Sequence, residues 1–228
     1  MASDPKSDGL RPTHSELIAD GVVHAIGIVG ALSGVFVLVQ TIVPNGNPIE
    51  ILVVVAYSAS LIAMLSASAA YNLAKVGQRR ELLRYFDNAA IFSMMAGTLT
   101  PFTALRLNGA CAAEVTGLIW LLATGGMAVK LRYPHLFDRL SVWVYLTFGA
   151  AGLIVVCPLL YSMNSTTRIE LIVGSILYMV GLIFHLWERL HFQSAIWHAF
   201  VVGASGVHYF AVLDGAFLPL GSLQIAGG

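Results

Sequence analysis

The sequence predicts an all-α fold, a bundle of seven transmembrane helices, and three observations lead to that prediction. Hydrophobic residues make up 57% of the 228 residues and charged residues only 11%, whereas soluble domains are about 25% charged. Seven stretches are apolar enough to cross a bilayer, which takes about 20 residues. Short polar segments with Gly and Pro separate these stretches, as is typical of connections between helices.

The expected helices follow one another with little chain between them. No connection is long enough to form a soluble domain, so we expect one membrane domain over residues 16–228. Residues 1–15 are polar and contain Pro and Gly, and we expect a flexible cytoplasmic tail without a cleavable signal peptide. The helices are expected at 18–43, 50–74, 85–105, 110–130, 140–162, 170–188 and 194–218.

Lys and Arg are distributed unevenly between the two sets of connections. One set, together with the N-terminal tail, carries ten of these residues, and the opposite set carries only Arg106 and Arg168. Positive charges concentrate on the cytoplasmic side of membrane proteins. We therefore expect the N-terminus in the cytoplasm and the C-terminus outside. The ten residues are Lys6, Arg11, Lys75, Arg79, Arg80, Arg84, Lys130, Arg132, Arg139 and Arg189.

Net charge and cysteine content exclude several classes of protein. The formal net charge is zero, so no basic surface indicates nucleic acid as a partner. Cys111 and Cys157 are too few for a disulfide framework or a cysteine-based zinc site. Both are expected near the outer ends of their helices, where they form either one disulfide or two unpaired thiols.

Polar side chains are expected at a similar depth in four of the helices. Each costs a few kcal/mol in a bilayer, and at 1.5 Å per residue each lies roughly 5–10 Å inside the cytoplasmic end of its helix. Their shared depth favours one polar site, although contacts with lipid headgroups or among neighbours remain an alternative. The residues are Asp20, His24, Ser68, Asn72, Asp87, Ser194 and His198.

The remaining histidines carry a weaker signal. His208 is expected deeper in the seventh helix, as a hydrogen-bonded core histidine. His185 and Glu188 end the sixth helix among aromatic residues, which is typical of an interfacial anchor.

Four segments of the chain carry recognisable motifs: ADGVVHAIGIVGALSG, SASAAYN, RYFDNAAIFSMMAGTLTPF and HLWERLHFQSAIWHAFVVGASGVHYFAV. They resemble the hemolysin III family, which belongs with the progestin and adipoQ receptors. The resemblance covers nearly the whole membrane domain and implies seven spans with a cytoplasmic N-terminus. Its most specific parts are AGTLTPF and AIWHAFVVG.

The resemblance implies a zinc site near the cytoplasmic face. Family members bind zinc through a histidine in a Ser-x-x-x-His motif that ends the second helix and through two histidines in a His-x-x-x-His motif that opens the seventh. An aspartate early in the third helix holds the metal-bound water. In this chain Ser68, Asp87 and His198 match that pattern.

Two of the three zinc ligands that the resemblance implies are replaced. Asn72 stands where the second-helix histidine is expected, and Ser194 where the first histidine of the seventh helix is expected. Asn88, after Asp87, is at a position where relatives often have histidine. Neutral amide and hydroxyl oxygens bind zinc poorly beside imidazole, and a catalytic zinc usually has three protein ligands.

The substitutions leave two interpretations of the site. The pocket either persists as a hydrogen-bonded polar cluster without stable metal, or Asp20 and His24 join His198 and Asp87 in a rebuilt metal site. Under the first interpretation, the zinc site is degenerate, and the chain is a hemolysin III-like protein of the bacterial inner membrane that acts in membrane or lipid homeostasis. Its expected partners are membrane lipids, with a lipid or fatty acid as ligand.

Two further classes of function remain as alternatives. A zinc-dependent lipid amide hydrolase would use Asp87 as the base and Ser68 as an orienting group. A cytolytic, channel-like or receptor protein is the other alternative. A retinal protein is excluded because the seventh helix has no lysine to form a Schiff base.

Overall fold

The computed structural model describes residues 13–75, 77–161 and 163–217. These residues form seven α-helices and a short π-helical turn, and this described part of the chain contains no strand. Most of the tail expected at residues 1–15 lies outside it. The helices are α1 (His14–Ile42), α2 (Pro48–Leu73), α3 (Gln78–Arg106), α4 (Gly109–Arg132), α5 (Pro134–Leu160), α6 (Ser165–Leu186) and α7 (Gln193–Val212), and the π-turn is Leu213–Phe217.

Side-chain caps fix the first turns of α1 and α2. Thr13 and Glu16 form a capping box that starts α1, and Asn47 and Glu50 form one that starts α2. In each box a side-chain oxygen accepts a hydrogen bond from a main-chain N–H that the helix leaves unpaired. α1 therefore begins at His14, four residues before the expected boundary.

Three other helices begin five or more residues before the apolar stretches predict. α3 begins at Gln78 rather than 85, α5 at Pro134 rather than 140, and α6 at Ser165 rather than 170. Hydropathy identifies the part of a helix that lies in the hydrocarbon core of the bilayer, whereas the helix itself continues into polar turns on either side. Arg80, in the first turns of α3, packs its guanidinium 4.7 Å from the centre of the Tyr71 ring on α2.

Cross-helix contacts show the direction in which neighbouring helices run. Residues of α1 and α7 that contact each other are separated in sequence by a nearly constant number of residues, so these two helices run parallel. The same holds for α3 and α5. Between α3 and α4, and between α6 and α7, one partner's number falls as the other rises, so these pairs are antiparallel. The contacts are Glu16 with Phe192, Asp20 with His198, and Gly34 with Tyr209; Asn88 with Tyr145, and Phe92 with Phe148; Thr100 with Trp120, and Thr103 with Thr116; and Leu171 with His208, and Tyr178 with Ser205.

α3 lies at the centre of the bundle. It packs against α2, α4, α5, α7 and the π-turn. Its aromatic residues Phe92 and Phe102 are fully buried. Gly97 lets α2 approach closely, because a Cβ there would lie 2.6 Å from the Cβ of Ser60. α1 and α7 pack side by side at the edge of this core, and this pairing positions the site described below.

The molecule is built as a membrane protein. Within the described ranges, five helices are long and apolar enough to cross a bilayer: α1, α2, α4, α6, and α7 together with the π-turn. α1 exposes large apolar side chains along its outer face, as lipid contact requires, including Ile26, Val29 and Phe36. Cys111 and Cys157 are exposed and unpaired, so the disulfide alternative is wrong.

Candidate metal centre

Asp20, His24 and His198 form a buried cluster between α1 and α7. Their exposed fractions are only 4%, 3% and 7%. His198 Nδ1 lies 2.6 Å from Asp20 Oδ1, a distance typical of a hydrogen bond to an ionised acceptor. A carboxylate only accepts hydrogen bonds, so Nδ1 carries the proton and donates it. The neutral imidazole then presents Nε2 as an acceptor.

His24 completes the cluster on the α1 side. It lies one helical turn after Asp20, with Nε2 3.7 Å from Asp20 Oδ2, beyond hydrogen-bond distance. Its ring centre is 4.4 Å from that of His198. Nε2 is buried and has no hydrogen-bond partner among the described residues. Such an atom costs free energy in an apolar interior.

A glycine brings the two helices together at this point. Gly27 lies on α1, one turn beyond His24. A Cβ at Gly27 would lie 2.7 Å from Cγ2 of Val202 on α7, closer than packed carbon atoms approach. Because Gly27 has no side chain, α7 packs directly on the α1 backbone and the Asp20 and His198 side chains can reach each other.

Asn72 approaches His198 from the end of α2. Its amide Nδ2 donates to the main-chain oxygen of Ser68 at 2.9 Å and lies 3.4 Å from His198 Nε2. Because His198 Nδ1 is the protonated nitrogen, Nε2 accepts this weak bond from the amide. Asn72 thus occupies the side of His198 that faces α2, and links α2 to α7 through a neutral group.

Asp87 lies on the α3 side of the cluster. Its carboxyl group, which is partly buried, interacts with the Ser68 hydroxyl and electrostatically with both His24 and His198. Asn88 is not part of this group. Its amide donates to Arg84 O at 2.8 Å, and its main-chain oxygen accepts a hydrogen bond from Tyr145.

The structure brings together six of the seven polar residues that the sequence places at one depth. Ser194 is the exception: it lies one turn before His198 on α7, yet its residue is exposed. Glu16, which sequence reasoning did not single out, bonds α1 to the start of α7. The Thr-x-x-Glu pattern of a capping box marks this residue in the sequence, but not its bond to α7.

The residues at the two substituted ligand positions of the family do not fit zinc. Asn72 turns its amide nitrogen toward His198, and the exposed Ser194 offers a neutral hydroxyl. A different donor set does fit by composition: Asp20, His24 and His198 offer ligand atoms within 4.8 Å of one another and could hold a metal ion. One carboxylate and two imidazoles also form catalytic zinc sites.

The hydrogen bond between His198 and Asp20 sets a condition on metal binding. Two ligand atoms of a tetrahedral zinc lie roughly 3.3 Å apart, given bonds of about 2.0 Å. The observed separation of Nδ1 and Oδ1 is 2.6 Å. Coordination through both atoms therefore requires loss of the Nδ1 proton and a small widening of the pair, whereas coordination through Nε2 requires Asn72 to move.

The other singled-out histidines lie outside the cluster. His208 is buried, and its Nε2 donates to the main-chain oxygen of Leu171 at 3.3 Å, as expected of a hydrogen-bonded core histidine. Its ring lies on Gly174 of α6, where no larger residue would fit without displacing it. His185 is exposed at the end of α6, with its ring 4.9 Å from that of Trp197.

Comparison with known proteins identifies the family. The family described as Haemolysin-III related matches residues 13–209. The chain is 32% identical to Hemolysin-3 homolog of Bacillus subtilis (strain 168), covering 88% of this chain and 94% of the relative. It is 31% identical to Hemolysin-3 of Bacillus cereus, covering 87% and 90%.

A mammalian relative matches over most of its length as well. The chain is 29% identical to the human Monocyte to macrophage differentiation factor, covering 91% of this chain and 87% of the relative. No solved structure matches the chain. These similarities confirm the resemblance: the chain belongs to the haemolysin III family, within the progestin and adipoQ receptor superfamily.

Proposed function

We propose that this chain is a seven-span protein of the bacterial inner membrane that binds a divalent metal ion at Asp20, His24 and His198. Zinc is the favoured ion, because the donors are two imidazoles and one carboxylate. The metal site is displaced from the positions of Asn72 and Ser194 toward α1. The role we propose for the protein is in membrane or lipid homeostasis, with membrane lipids as its partners.

Helix length and direction support seven spans. α3 and α5 contain 29 and 27 residues, more than the roughly 30 Å of hydrocarbon requires at 1.5 Å per residue. α3 is less apolar than its neighbours because its first turns carry charges and its middle is covered by other helices. The alternating directions of the helices are those of a chain that crosses the membrane at each helix.

The charge distribution supports a cytoplasmic metal site. The N-terminus of α1, the C-terminus of α2 and the N-terminus of α3 lie on the side that carries most of the Lys and Arg residues. Asp20, Asn72 and Asp87 all lie near these ends. The site is therefore within reach of the cytoplasmic headgroup layer.

The observation that carries the proposal is His24 Nε2, which is buried and has no hydrogen-bond partner in the described part of the chain. A buried imidazole nitrogen without a partner costs about 1–3 kcal/mol, and the burial of Nε2 keeps solvent from pairing with it. His24 Nε2 lies beside a carboxylate and a second imidazole. A bound cation would satisfy all three side chains at once and would neutralise the buried charge of Asp20.

Metal content of the detergent-purified protein tests the proposal. We expect about one zinc per chain, and its loss in the variants His24→Ala and His198→Ala. His208→Ala is the matched control, because it removes a buried histidine of α7 that lies outside the cluster. His185→Ala controls for loss of an exposed histidine. Zinc that persists in His24→Ala would contradict the proposed ligand set.

A double variant distinguishes a displaced site from a lost one. Asn72→His combined with Ser194→His restores the family's histidine pattern. If the original protein holds no zinc but the double variant does, the fold retains the family's pocket and this chain has given up metal binding. If the original holds zinc, the double variant is expected to bind more tightly or to bind a second ion.

Asp87 supports a second candidate function, hydrolysis of a lipid amide bond. It interacts electrostatically with both imidazoles and with the Ser68 hydroxyl, as a general base held in position would. A bound zinc would supply polarisation of the carbonyl and activation of water. Asp87 would accept the water proton, and Ser68 would hold the carboxyl group in place.

The variant Asp87→Asn tests hydrolysis apart from metal binding. With N-acyl lipids in mixed micelles, we expect hydrolysis to fall by about 100-fold or more, since general base catalysis contributes about 10²–10⁴-fold. Zinc content should remain that of the original protein. Unchanged hydrolysis would exclude Asp87 as the base, and absence of hydrolysis in the original protein would leave metal binding as the proposed function.

A further inference from the structure

We infer that Glu16 is a positioning residue, which joins the first turn of α1 to the start of α7 and thereby holds Asp20 against His198. The consequence for metal affinity rests on the proposed function, whereas the positioning of the Asp20 and His198 pair does not. Glu16 lies outside the cluster and touches none of its members, so its effect would pass through the two helices.

One carboxylate oxygen of Glu16 is held by the capping box. Oε2 accepts the main-chain N–H of Thr13 at 2.8 Å and the Thr13 hydroxyl at 2.9 Å. Thr13 Oγ1 in turn accepts the N–H of Glu16 at 3.3 Å. These bonds fix the direction of the side chain, so the entropy cost of ordering it for a further contact is already met within α1.

The other carboxylate oxygen reaches α7. Oε1 accepts the main-chain N–H of Phe192 at 2.9 Å. Phe192 has left-handed backbone angles, with φ at 59°, and its own side chain makes no capping bond to α7. A helix begins with N–H groups that lack partners inside it. Glu16 therefore supplies from α1 the acceptor that the start of α7 lacks.

The Glu16 bond and the Asp20 bond share one helix register. Glu16 is one turn before Asp20, and the separations in sequence to their partners on α7 are 176 and 178 residues. Because α1 and α7 run parallel, a bond that fixes the height of one helix against the other at Phe192 also fixes it at His198. The 2.6 Å contact between Asp20 and His198 tolerates little sliding.

A second capping box provides a matched control inside the same chain. Glu50 occupies the same position in α2 that Glu16 occupies in α1, and its Oε2 accepts the N–H of Asn47 at 2.9 Å. Among the hydrogen bonds of the described residues, Glu50 makes none outside its own box. Glu50→Ala thus removes a cap alone, whereas Glu16→Ala removes a cap and the link to α7.

The first measurement follows the proton between His198 and Asp20 in metal-free protein. In a sample labelled with ¹⁵N-histidine, His198 Nδ1–H should give a downfield proton signal that disappears in His198→Ala. We expect Glu16→Ala to move this signal upfield or to broaden it by exchange. Glu16→Gln keeps an oxygen that can accept from Phe192, and should restore part of the signal. Glu50→Ala should leave the signal unchanged.

The inference is overturned if Glu16→Ala leaves the His198 signal intact, or if Glu50→Ala disturbs it to the same extent. The second measurement is zinc affinity, which we expect Glu16→Ala to lower about tenfold, at the lower end of what outer partners of metal ligands contribute. If the original protein binds no zinc, the proposed function fails, while the proton signal still decides the role of Glu16.

Discussion

His198 and His208 lie on the same helix and are both buried, but their surroundings differ in kind. His198 meets a carboxylate, a second imidazole and an amide, which come from α1 and α2. His208 meets a main-chain oxygen of Leu171 and the bare backbone at Gly174. A buried histidine becomes part of a candidate site when several other helices direct polar side chains toward it.

The two regions also differ in whether polar atoms remain without hydrogen-bond partners. The main-chain bond of His208 is sufficient for a neutral imidazole packed between α6 and α7. Around His198 there are more hydrogen-bonding side chains than one imidazole can pair with, and His24 Nε2 remains without a partner among the described residues. That excess of donors and acceptors is what distinguishes a site that can take up a cation from a packed core.

Removing the carboxylate at the centre of the cluster is expected to have the largest effect. Asp20→Ala leaves His198 Nδ1–H buried without an acceptor, and a buried hydrogen bond to a charged group contributes about 1.5–3 kcal/mol. We expect metal binding to be lost and the unfolding free energy to fall by that amount, measured by SDS titration in mixed micelles. Asp20→Asn retains an acceptor oxygen and should lose less stability.

A glycine substitution tests the region of His208. Gly174→Ala places a Cβ against the imidazole ring, so the ring must rotate and lose its bond to Leu171. Overpacking of this kind costs about 1–3 kcal/mol, and zinc content should not change. Gly203→Ala is the control, because a Cβ there meets no atom within 4 Å. Loss of zinc in Gly174→Ala would show that the two histidine regions are coupled.

The all-helical character of this membrane protein was predictable from the sequence because a bilayer requires long apolar stretches. The helix boundaries were less so, since helices extend into polar turns that hydropathy does not register. The segment QRRELLR reads as a connection, yet it forms the first turns of α3. The capping boxes of α1 and α2 were visible as sequence patterns and would have corrected the start of α1.

The site was predictable in depth but not in detail. Counting residues from the helix ends gives the height of a side chain in the membrane, and six of the seven residues at that height do meet. Rotation about the helix axis and side-chain length decide the rest. Ser194 is at the right height but exposed, whereas His24 comes within 4.4 Å of His198, ring centre to ring centre.

Tyr57 tests whether a buried polar group without a partner marks a binding site, and its substitution has the smallest expected effect on stability. Like His24 Nε2, its hydroxyl is buried and has no hydrogen-bond partner among the described residues, and its exposed fraction is 0%. Unlike His24, Tyr57 belongs to the apolar core cluster of the bundle rather than to a group of ligand atoms. An unpaired hydroxyl in such a place carries a desolvation cost with no bond in return.

Tyr57→Phe should therefore leave the protein as stable as the original or raise its unfolding free energy by about 1 kcal/mol. Tyr178→Phe is the matched comparison: its hydroxyl bonds to Ser205 at 2.8 Å, and its removal should lower the unfolding free energy by about 1 kcal/mol. If SDS titrations show that the two variants change the unfolding free energy in opposite directions, the unpaired Tyr57 hydroxyl is a destabilising group that the packing of the bundle tolerates. A loss of stability in Tyr57→Phe would mean that its hydroxyl has a partner in the membrane, and that the polar interior extends from the metal centre to the middle of the bundle.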